Sequence, residues 1–162
     1  MIDLTDFSKF VAERLKEDVE FSNFCIVKAG NELNFTRDSL MIADAVLPYL
    51  VVMTFAEQHE TDANNWTIQM QIGIEGSLNV STDVLGIKYL PSMDEVRNIG
   101  TKAIERIRCL LLDFGIKDQE TSVYDKSVEI EKYSIVPVEA GESNAENAVF
   151  ITVDFMRVNQ IG

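Results

Sequence analysis

Cysteine, histidine and long apolar runs are scarce in this chain of 162 residues, and each scarcity excludes a class of protein. Its two cysteines, Cys25 and Cys109, match neither a CxxC pair nor a zinc-ligand spacing, so two reduced thiols in a cytosolic protein are expected and nothing supports a disulfide. No segment reaches the roughly 18 apolar residues of a membrane span. The first residues lack the basic and apolar regions of a cleaved secretion signal, so export is not expected.

Positive charge is also in short supply. Fourteen Lys and Arg face 27 Asp and Glu, which leaves a formal charge of -13. Such a surface repels nucleic-acid phosphates and anionic membranes, so neither is an expected partner. An acidic protein can still bind copies of itself through a specific, partly apolar surface, because its charge only keeps it soluble until that surface meets its complement.

The motifs of common enzyme classes are missing as well. The glycines do not approach a Walker or dinucleotide-binding spacing, and there is no GxSxG or HExxH sequence. We therefore assign no catalytic residue, metal or cofactor. Gly100 falls on or near the apolar stripe of a predicted helix, where it favours a close approach of the backbone to a neighbour.

What is present, above all, is a perfect alternation of apolar and polar residues from Trp66 to Glu75. Side chains of a strand point alternately to its two sides, so this pattern predicts a strand with one buried face and one polar face. The apolar side consists of Trp66, Ile68, Met70, Ile72 and Ile74.

The N-terminal third predicts a helix beginning near Thr5, whose hydroxyl would cap it. The apolar run 24–29, ended by Gly30, favours a strand followed by a turn. The segment 36–45 is compatible with a short helix that Pro48 would prevent from continuing. The helix near Thr5 would bury an apolar stripe made of Phe7, Phe10, Val11 and Leu15.

The middle of the chain predicts a hairpin. Residues 49–56 are strand-like and nearly all apolar, and the polar stretch 59–65 joins them to the alternating strand. Residues 76–91 predict an ordered connection, within which we assign no helix or strand.

The last third predicts a helix and a second hairpin. Ser92 and Glu95 have the spacing of a capping box, and Gly115 would stop the helix. Residues 128–136 and 148–158 predict two strands joined by an acidic connector. The first of these strands changes phase between Ile130 and Tyr133, which indicates a bulge or a strand serving two surfaces.

Together these elements predict one α+β domain over residues 1–162. Its sheet would be small, mixed or antiparallel, with about four to five strands packed against two main helices. No internal repeat divides the chain.

Two acidic clusters are candidate sites. His59 is accompanied by Glu57, Glu60 and Asp62, but metal sites draw ligands from separate elements, so a solvated hairpin tip is favoured. In the last third, paired carboxylates can hydrolyse glycosides when they flank a cleft. No cleft is indicated, and a charged face is favoured for Glu129, Glu131, Glu139, Glu142, Glu146 and Asp154, with Asp154 lying on the face opposite Val153 and Phe155.

Hairpin tips and exposed strand edges in a small sheet favour contacts between copies of the chain, and such head-to-tail contacts close into a ring or propagate as a fibre. The residues predicted to form a protein interface are His59, Glu60, Asp62, Asn64, Glu129, Glu131, Glu139, Glu142 and Glu146.

The element order resembles a known family. An N-terminal helix, a strand led by Pro48, the alternating strand from Trp66, a long helix and two strands around an acidic loop are similar to the tail terminator proteins of long-tailed bacteriophages. The resemblance covers most of the chain. Segments 31–45 and 78–90 look longer than a minimal terminator needs, and a related neck or head-tail joining protein would share the design.

The resemblance implies a structural protein and not an enzyme. It implies a homo-oligomeric ring, with a hexamer favoured, that caps the tail tube, stops its polymerisation and presents the docking surface for the head. The implied partners are further copies, the tail tube protein and the head-tail connector protein. The protein would act in the host bacterial cytoplasm during assembly and then remain in the virion tail or neck.

Two other functions remain open from the residues. A small-molecule-binding or regulatory α+β module would enclose a pocket lined by residues such as Met53, Trp66 and Met70, although the same residues would serve as core. A hydrolase using carboxylates of the last hairpin ranks third.

Overall fold

Five strands form the main sheet among the residues that the computed structural model describes, which are 4–37, 46–59, 63–76, 80–118, 128–138 and 146–158. The elements in chain order are α1 (Leu4–Glu17), α2 (Val19–Ala29), β1 (Asn34–Arg37), β2 (Tyr49–His59), β3 (Ala63–Glu75), β4 (Ser81–Thr82), β5 (Lys88–Tyr89), α3 (Pro91–Asp118), β6 (Val128–Val138) and β7 (Glu146–Val158). The sheet order is β1-β2-β3-β7-β6, with only β1 and β2 parallel, while β4 and β5 pair separately. The predicted α+β fold with a mixed sheet against helices is confirmed.

The alternating strand is β3, and its predicted apolar side faces the helices. All five apolar residues from Trp66 to Ile74 are buried in the core cluster. The Trp66 and Phe7 rings lie 5.0 Å apart, and Phe7 meets Phe155 of β7 edge to face at 4.8 Å. Aromatic pairs at these separations contribute beyond the area they bury. The core therefore lies between this face of the sheet and the helices α1 and α3.

Helix α1 forms where the apolar spacing predicts it. Phe7, Val11 and Leu15 are buried on one side, as an amphipathic helix requires. The predicted cap at Thr5 is wrong, since the helix already includes Leu4 and the Thr5 carbonyl accepts a hydrogen bond from the Ser8 hydroxyl at 2.9 Å.

The predicted strand at residues 24–29 is wrong, because this segment is the second half of α2. Asp18 is the N-cap, and its carboxylate accepts a hydrogen bond from the Phe21 amide at 3.0 Å. Gly30 ends the helix in the left-handed conformation with φ of 85°, and its amide donates to the Ile26 carbonyl at 2.9 Å. Phe21 and Cys25 are four residues apart and both buried, which is the helical period.

An ion pair fixes α2 against α3. Arg106 donates to both carboxylate oxygens of Asp18, at 2.8 and 3.0 Å, while Asp18 also caps α2. Burial alone would raise the pKa of Asp18, but the Arg106 guanidinium and the Phe21 amide outweigh burial and hold this pKa below its ordinary value. The Asp18 carboxylate thus both caps α2 and binds α3.

Both ends of α3 differ from the prediction. The helix begins at Pro91, and the Leu90 carbonyl accepts hydrogen bonds from the amides of the first turn. Proline suits the first helical position because its missing amide would have no partner there. Ser92 is hence inside the helix and is not its N-cap, and its hydroxyl oxygen accepts a hydrogen bond from the Asn147 side-chain amide. The predicted stop at Gly115 is also wrong, since α3 continues to Asp118.

The close approach predicted at Gly100 is confirmed. A Cβ atom built at this position would lie 3.2 Å from Ile151 Cδ1 and 3.4 Å from Ile135 Cγ2. These are side chains of β7 and β6, so the missing side chain lets α3 pack closely on the sheet.

Both predicted hairpins are present. The phase change in β6 is confirmed as a bulge, where the register with β7 shifts between Ile130 and Lys132. The first hairpin has longer strands than predicted, since β2 extends to His59 and β3 begins at Ala63. Thr36 and Arg37 belong to β1, so a helix does not begin directly after Thr36, and residues 38–45 of the possible helix lie outside the described residues.

Candidate oligomer interface

The predicted interface residues that the structure describes lie at two opposite ends of the sheet. At one end His59 pairs with Asn64, Asn64 with Arg157, and Arg157 with Val128, which precedes Glu129. The sheet register therefore brings His59, Asn64 and Glu129 to the same end.

Glu146 lies at the other end, where it pairs with Glu75. Asn64 and Glu75 are near the two ends of β3, and at about 3.3 Å per residue they are roughly 35 Å apart. Glu146 was predicted in the connector but is the first residue of β7. The remaining predicted interface residues, which are Glu60, Asp62, Glu139 and Glu142, lie outside the described residues.

Strand β6 is an edge of the sheet, and several of its features discourage pairing with another strand. Glu129 and Glu131 are exposed, and the bulge occurs at Glu131. Pro137 has no amide hydrogen to donate, and Lys132 adds a charge. Charges, bulges and prolines protect sheet edges from pairing. Addition of a strand along β6 is therefore disfavoured as the contact between copies.

A polar network marks the face of the sheet opposite the helices. Tyr49 pairs with Gly73, and its hydroxyl donates to the Glu146 carboxylate and accepts from Gln71 Nε2 at 2.9 Å. Burial raises the pKa of Tyr49 above its ordinary value, and the carboxylate of Glu146 raises it further. Gly73 makes this arrangement possible, since a Cβ atom there would lie 2.5 Å from the Tyr49 ring. Glu146 thus has a structural partner inside its own chain.

Asp154, singled out from the sequence, is also bound within the sheet. Its carboxylate accepts a hydrogen bond from the Thr67 hydroxyl at 2.6 Å and lies 3.7 Å from Lys132 Nζ. Glu146 lies on the same strand about 26 Å away at the usual rise per residue. These two carboxylates therefore do not flank a common cleft, as the hydrolase hypothesis would require of such a pair.

The pocket suggested for a small-molecule module does not form from its three named residues. Trp66 and Met70 are buried in the core on the helix side, whereas Met53 pairs with Gln69 on the opposite face. A cavity of about 90 Å³ lies beside Cys25 under α2. This cavity is smaller than the roughly 300–1,000 Å³ that is usual for binding sites of drug-sized ligands, whereas the open groove beside the C-terminal end of α2, at about 550 Å³, falls within that range.

An exposed apolar hairpin is the feature that the sequence prediction missed. It comprises residues 80–89, including β4 and β5, and is called here the apolar arm. The Val84 and Leu85 side chains at its tip are 102% and 81% exposed. Further exposed apolar side chains of the arm are Val80, Ile87 and Tyr89. Exposed apolar side chains clustered in this way are typical of interaction surfaces.

The tip of the apolar arm has a fixed shape. The Asp83 carboxylate accepts hydrogen bonds from the amides of Leu85, at 2.8 Å, and Ile87, at 2.9 Å. The Gly86 amide donates to the Asp83 carbonyl at 3.0 Å, and Gly86 has the left-handed φ of 82°. This is a hairpin turn whose last position favours glycine. The arm therefore presents Val84 and Leu85 on a preorganised turn.

A surface groove of about 550 Å³, called here the α2 groove, lies beside the C-terminal end of α2 and has both polar and apolar lining residues. Asn34 Nδ2 donates to the carbonyls of Val46 at 2.9 Å and Pro48 at 3.1 Å, which holds one wall of the groove in place. The groove is lined by Ile26, Gly30, Asn31, Glu32, Asn34, Leu47 and Pro48.

The described residues contain no group of three or more His, Cys, Asp or Glu side chains arranged to hold a metal ion. Within the same residues, no helix combines the length and the apolar composition needed to cross a membrane. The tip residues 60–62 beside His59 lie outside the described residues, so the solvated hairpin tip remains a prediction.

Comparison with known proteins adds no family assignment. No family model matches the chain, and a search of curated protein sequences also found no match.

Proposed function

We propose that this chain is a structural protein of a phage or prophage tail that forms a homo-oligomeric ring, with a hexamer favoured. The ring caps the tail tube, stops its polymerisation and offers the surface to which the head-tail connector protein docks. The mechanism is geometric, because one face of the ring matches the last ring of the tube and the other face blocks further addition. The protein acts in the host bacterial cytoplasm during assembly and then stays in the virion tail or neck.

The observation that carries this proposal is the apolar arm. Val84 and Leu85 are held in water on an ordered turn, and a soluble protein gains nothing from such a surface unless another protein covers it. The chain carries a formal charge of -13, so nucleic acid and anionic membranes are unsuitable partners for most of its surface. A protein partner, including a further copy, fits both properties.

The arrangement of the sheet is compatible with a ring subunit. Its two hairpins point to opposite ends, with the β2–β3 hairpin at one end and the β6–β7 hairpin at the other. A capping ring needs two different axial surfaces, one for the tube and one for the connector.

A tube-length assay tests the function. A tail tube protein is polymerised with and without the purified protein, and tube lengths are measured by electron microscopy. Shorter tubes with a ring at one end are expected. Unchanged lengths and bare ends over a wide range of protein ratios would contradict the proposal.

A further inference from the structure

We infer that the α2 groove binds a small organic cation, namely a primary ammonium ion that carries a short aliphatic chain. The groove measures about 550 Å³, and its lining residues come from the C-terminal turn of α2, the start of β1 and the residues just before β2. This volume falls in the range of roughly 300–1,000 Å³ that is usual for small-molecule sites. The inference goes beyond the proposed function and does not depend on it, since the capping role uses protein contacts alone.

Glu32 supplies the negative charge of the site. This residue lines the groove and is exposed to solvent, so a dissolved molecule can reach its carboxylate. The Ser22 hydroxyl donates a hydrogen bond of 3.2 Å to Glu32 Oε1, which ties the carboxylate to α2. A carboxylate that one donor already holds loses less conformational freedom when it accepts a further hydrogen bond from an ammonium group.

The C-terminal end of α2 adds negative potential at the same place. Gly30, which is the C-cap, and Ile26, one turn earlier, both line the groove, so the last turn of the helix borders it. The final carbonyl groups of a helix carry a partial negative charge that attracts cations. The groove therefore favours a cation through the helix end as well as through Glu32.

The basic residues close to the groove do not line it. Lys28 belongs to the last turn of α2, but its Nζ lies 5.8 Å from the centre of the Phe24 ring, one turn back along the helix. Lys16 lines the small cavity that Glu32 also borders, and not the groove. Among the described residues that line the groove there is a carboxylate and no Lys or Arg. A bound cation would therefore meet attraction and little repulsion.

The apolar part of the lining defines the rest of the ligand. Ile26, Leu47 and Pro48 contribute aliphatic surface to the groove. Ile26 is 41% exposed, so a bound aliphatic chain would cover surface that is now in contact with water. Removal of such surface from water favours binding. An ammonium group with a chain of a few carbons matches both the charged and the apolar parts of the lining.

The wall that contains Leu47 and Pro48 is held in shape without a ligand. Asn34 Nδ2 donates to the carbonyls of Val46 at 2.9 Å and Pro48 at 3.1 Å. The backbone amide of Asn34 also donates to the Pro48 carbonyl, at 2.8 Å. These contacts fix the wall relative to the start of β1. A site that is formed before binding loses less conformational freedom on binding, which favours affinity.

The same features disfavour other classes of ligand. An anion would be repelled by the Glu32 carboxylate and by the negative end of α2. A neutral molecule of the same shape would contact the apolar lining but gain nothing from the charge. A metal ion needs several converging ligands, and the described part of the chain contains no group of three or more His, Cys, Asp or Glu side chains arranged for one. The groove therefore selects an organic cation.

Saturation-transfer NMR titrations of the full chain test the inference with three probes of similar shape. The probes are isoamylamine, which is a cation at pH 7, isoamyl alcohol, which is neutral, and isocaproate, which is an anion. The method observes the ligand, so it also works when the protein is assembled into a ring. Isoamylamine should bind saturably and at least about tenfold more tightly than isoamyl alcohol, and isocaproate should bind more weakly than the alcohol.

Two substitutions locate the site by changing its charge in opposite directions. Glu32→Gln should weaken isoamylamine binding at least about tenfold. Lys16→Gln should strengthen it, because Lys16 and Glu32 border the same small cavity and loss of the cation leaves the carboxylate less compensated. Glu129→Gln is the matched control and should bind as the wild type does, since Glu129 is exposed on β6, at the opposite edge of the sheet from β1. Circular dichroism and thermal unfolding establish that each variant is folded.

Three results would overturn the inference. The first is an isoamylamine affinity of Glu32→Gln equal to that of Glu129→Gln, which would indicate diffuse attraction of a cation to an acidic protein. The second is isoamyl alcohol binding as tight as isoamylamine binding, and the third is the absence of saturable isoamylamine binding by the wild type. Ring formation and tube length are measured without these probes, so failure of the site is distinguishable from failure of the proposed function.

Discussion

Replacing Gly73 by alanine should destabilise the fold, because Tyr49 occupies the space that a side chain at this position needs. A Cβ atom at residue 73 would lie 2.5 Å from Tyr49 Cε1, 2.6 Å from its Cζ and 2.8 Å from Glu146 Oε1. The Tyr49 ring is 1% exposed, so it cannot move aside without disturbing its neighbours.

The expected loss of stability is the sum of two costs and one gain. Overpacking of a buried site costs about 1–3 kcal/mol. Displacement of the Tyr49 ring also weakens its hydrogen bonds to Glu146 and Gln71, each of which contributes about 1 kcal/mol or more. Alanine regains roughly 0.5–1 kcal/mol over glycine through lower backbone entropy in the unfolded chain. The net expectation is a loss of about 2 kcal/mol in the free energy of unfolding.

Urea denaturation followed by circular dichroism measures this loss, at one protein concentration so that self-association is constant. The control is a double-mutant cycle with Tyr49→Val. Shortening Tyr49 removes the obstructing ring, so Gly73→Ala should cost much less in that background. An equal loss in both backgrounds, or no loss in the wild-type background, would refute the steric reasoning.

Three further predictions concern charge, thiols and the arm. Arg106→Gln should lower the free energy of unfolding by about 2 kcal/mol at pH 7. The pKa of Asp18 is lowered in the folded state, so its contribution to the free energy of unfolding is present above the ordinary carboxyl pKa and is lost as pH falls through the folded pKa. Urea titrations should therefore show a smaller difference in stability between Arg106→Gln and the wild type in acid than at pH 7. Maleimide labelling followed by mass spectrometry should modify exposed Cys109 quickly, whereas Cys25 is buried and its pKa is raised to about 12; two equally fast thiols would contradict this. Asp83→Ala should change global stability by less than about 0.5 kcal/mol yet weaken self-association several-fold in ultracentrifugation, and unchanged assembly would argue against a preorganised arm.

Periodic patterns explain why much of the sheet could be predicted. Trp66 to Glu75 alternates over ten residues, and a one-residue slip would expose its whole apolar side, so its faces were determined locally. The phase change between Ile130 and Tyr133 likewise predicted the bulge that the register shows. Both inferences needed only the period of a strand.

Helix α2 was missed because a short apolar run has no clear period. Residues 24–29 are compatible with a buried strand or a helix, and the choice depends on the caps. Asp18 and Gly30 were the available signals, with Asp18 at the start and Gly30 just past the end. Their spacing of twelve residues favours a helix over a strand.

The candidate interface was harder to predict for a different reason. Strands β4 and β5 have two residues each, too few to show a period, although Asp83 and Gly86 mark the turn between them. The α2 groove is lined by both Ile26 of α2 and Pro48, which are brought together only once the chain has folded. Exposure, which identifies Val84 and Leu85 as unusual, is a property of the folded structure.

Native mass as a function of concentration tests the central claim of self-assembly most directly. Light scattering coupled to size exclusion, at low and high salt, should show a species whose mass rises with concentration and stops at a closed ring, with six copies favoured. Closure would distinguish a ring from an open fibre, whose mass would keep rising. A monomer at every concentration and salt, or growth without limit, would contradict the account.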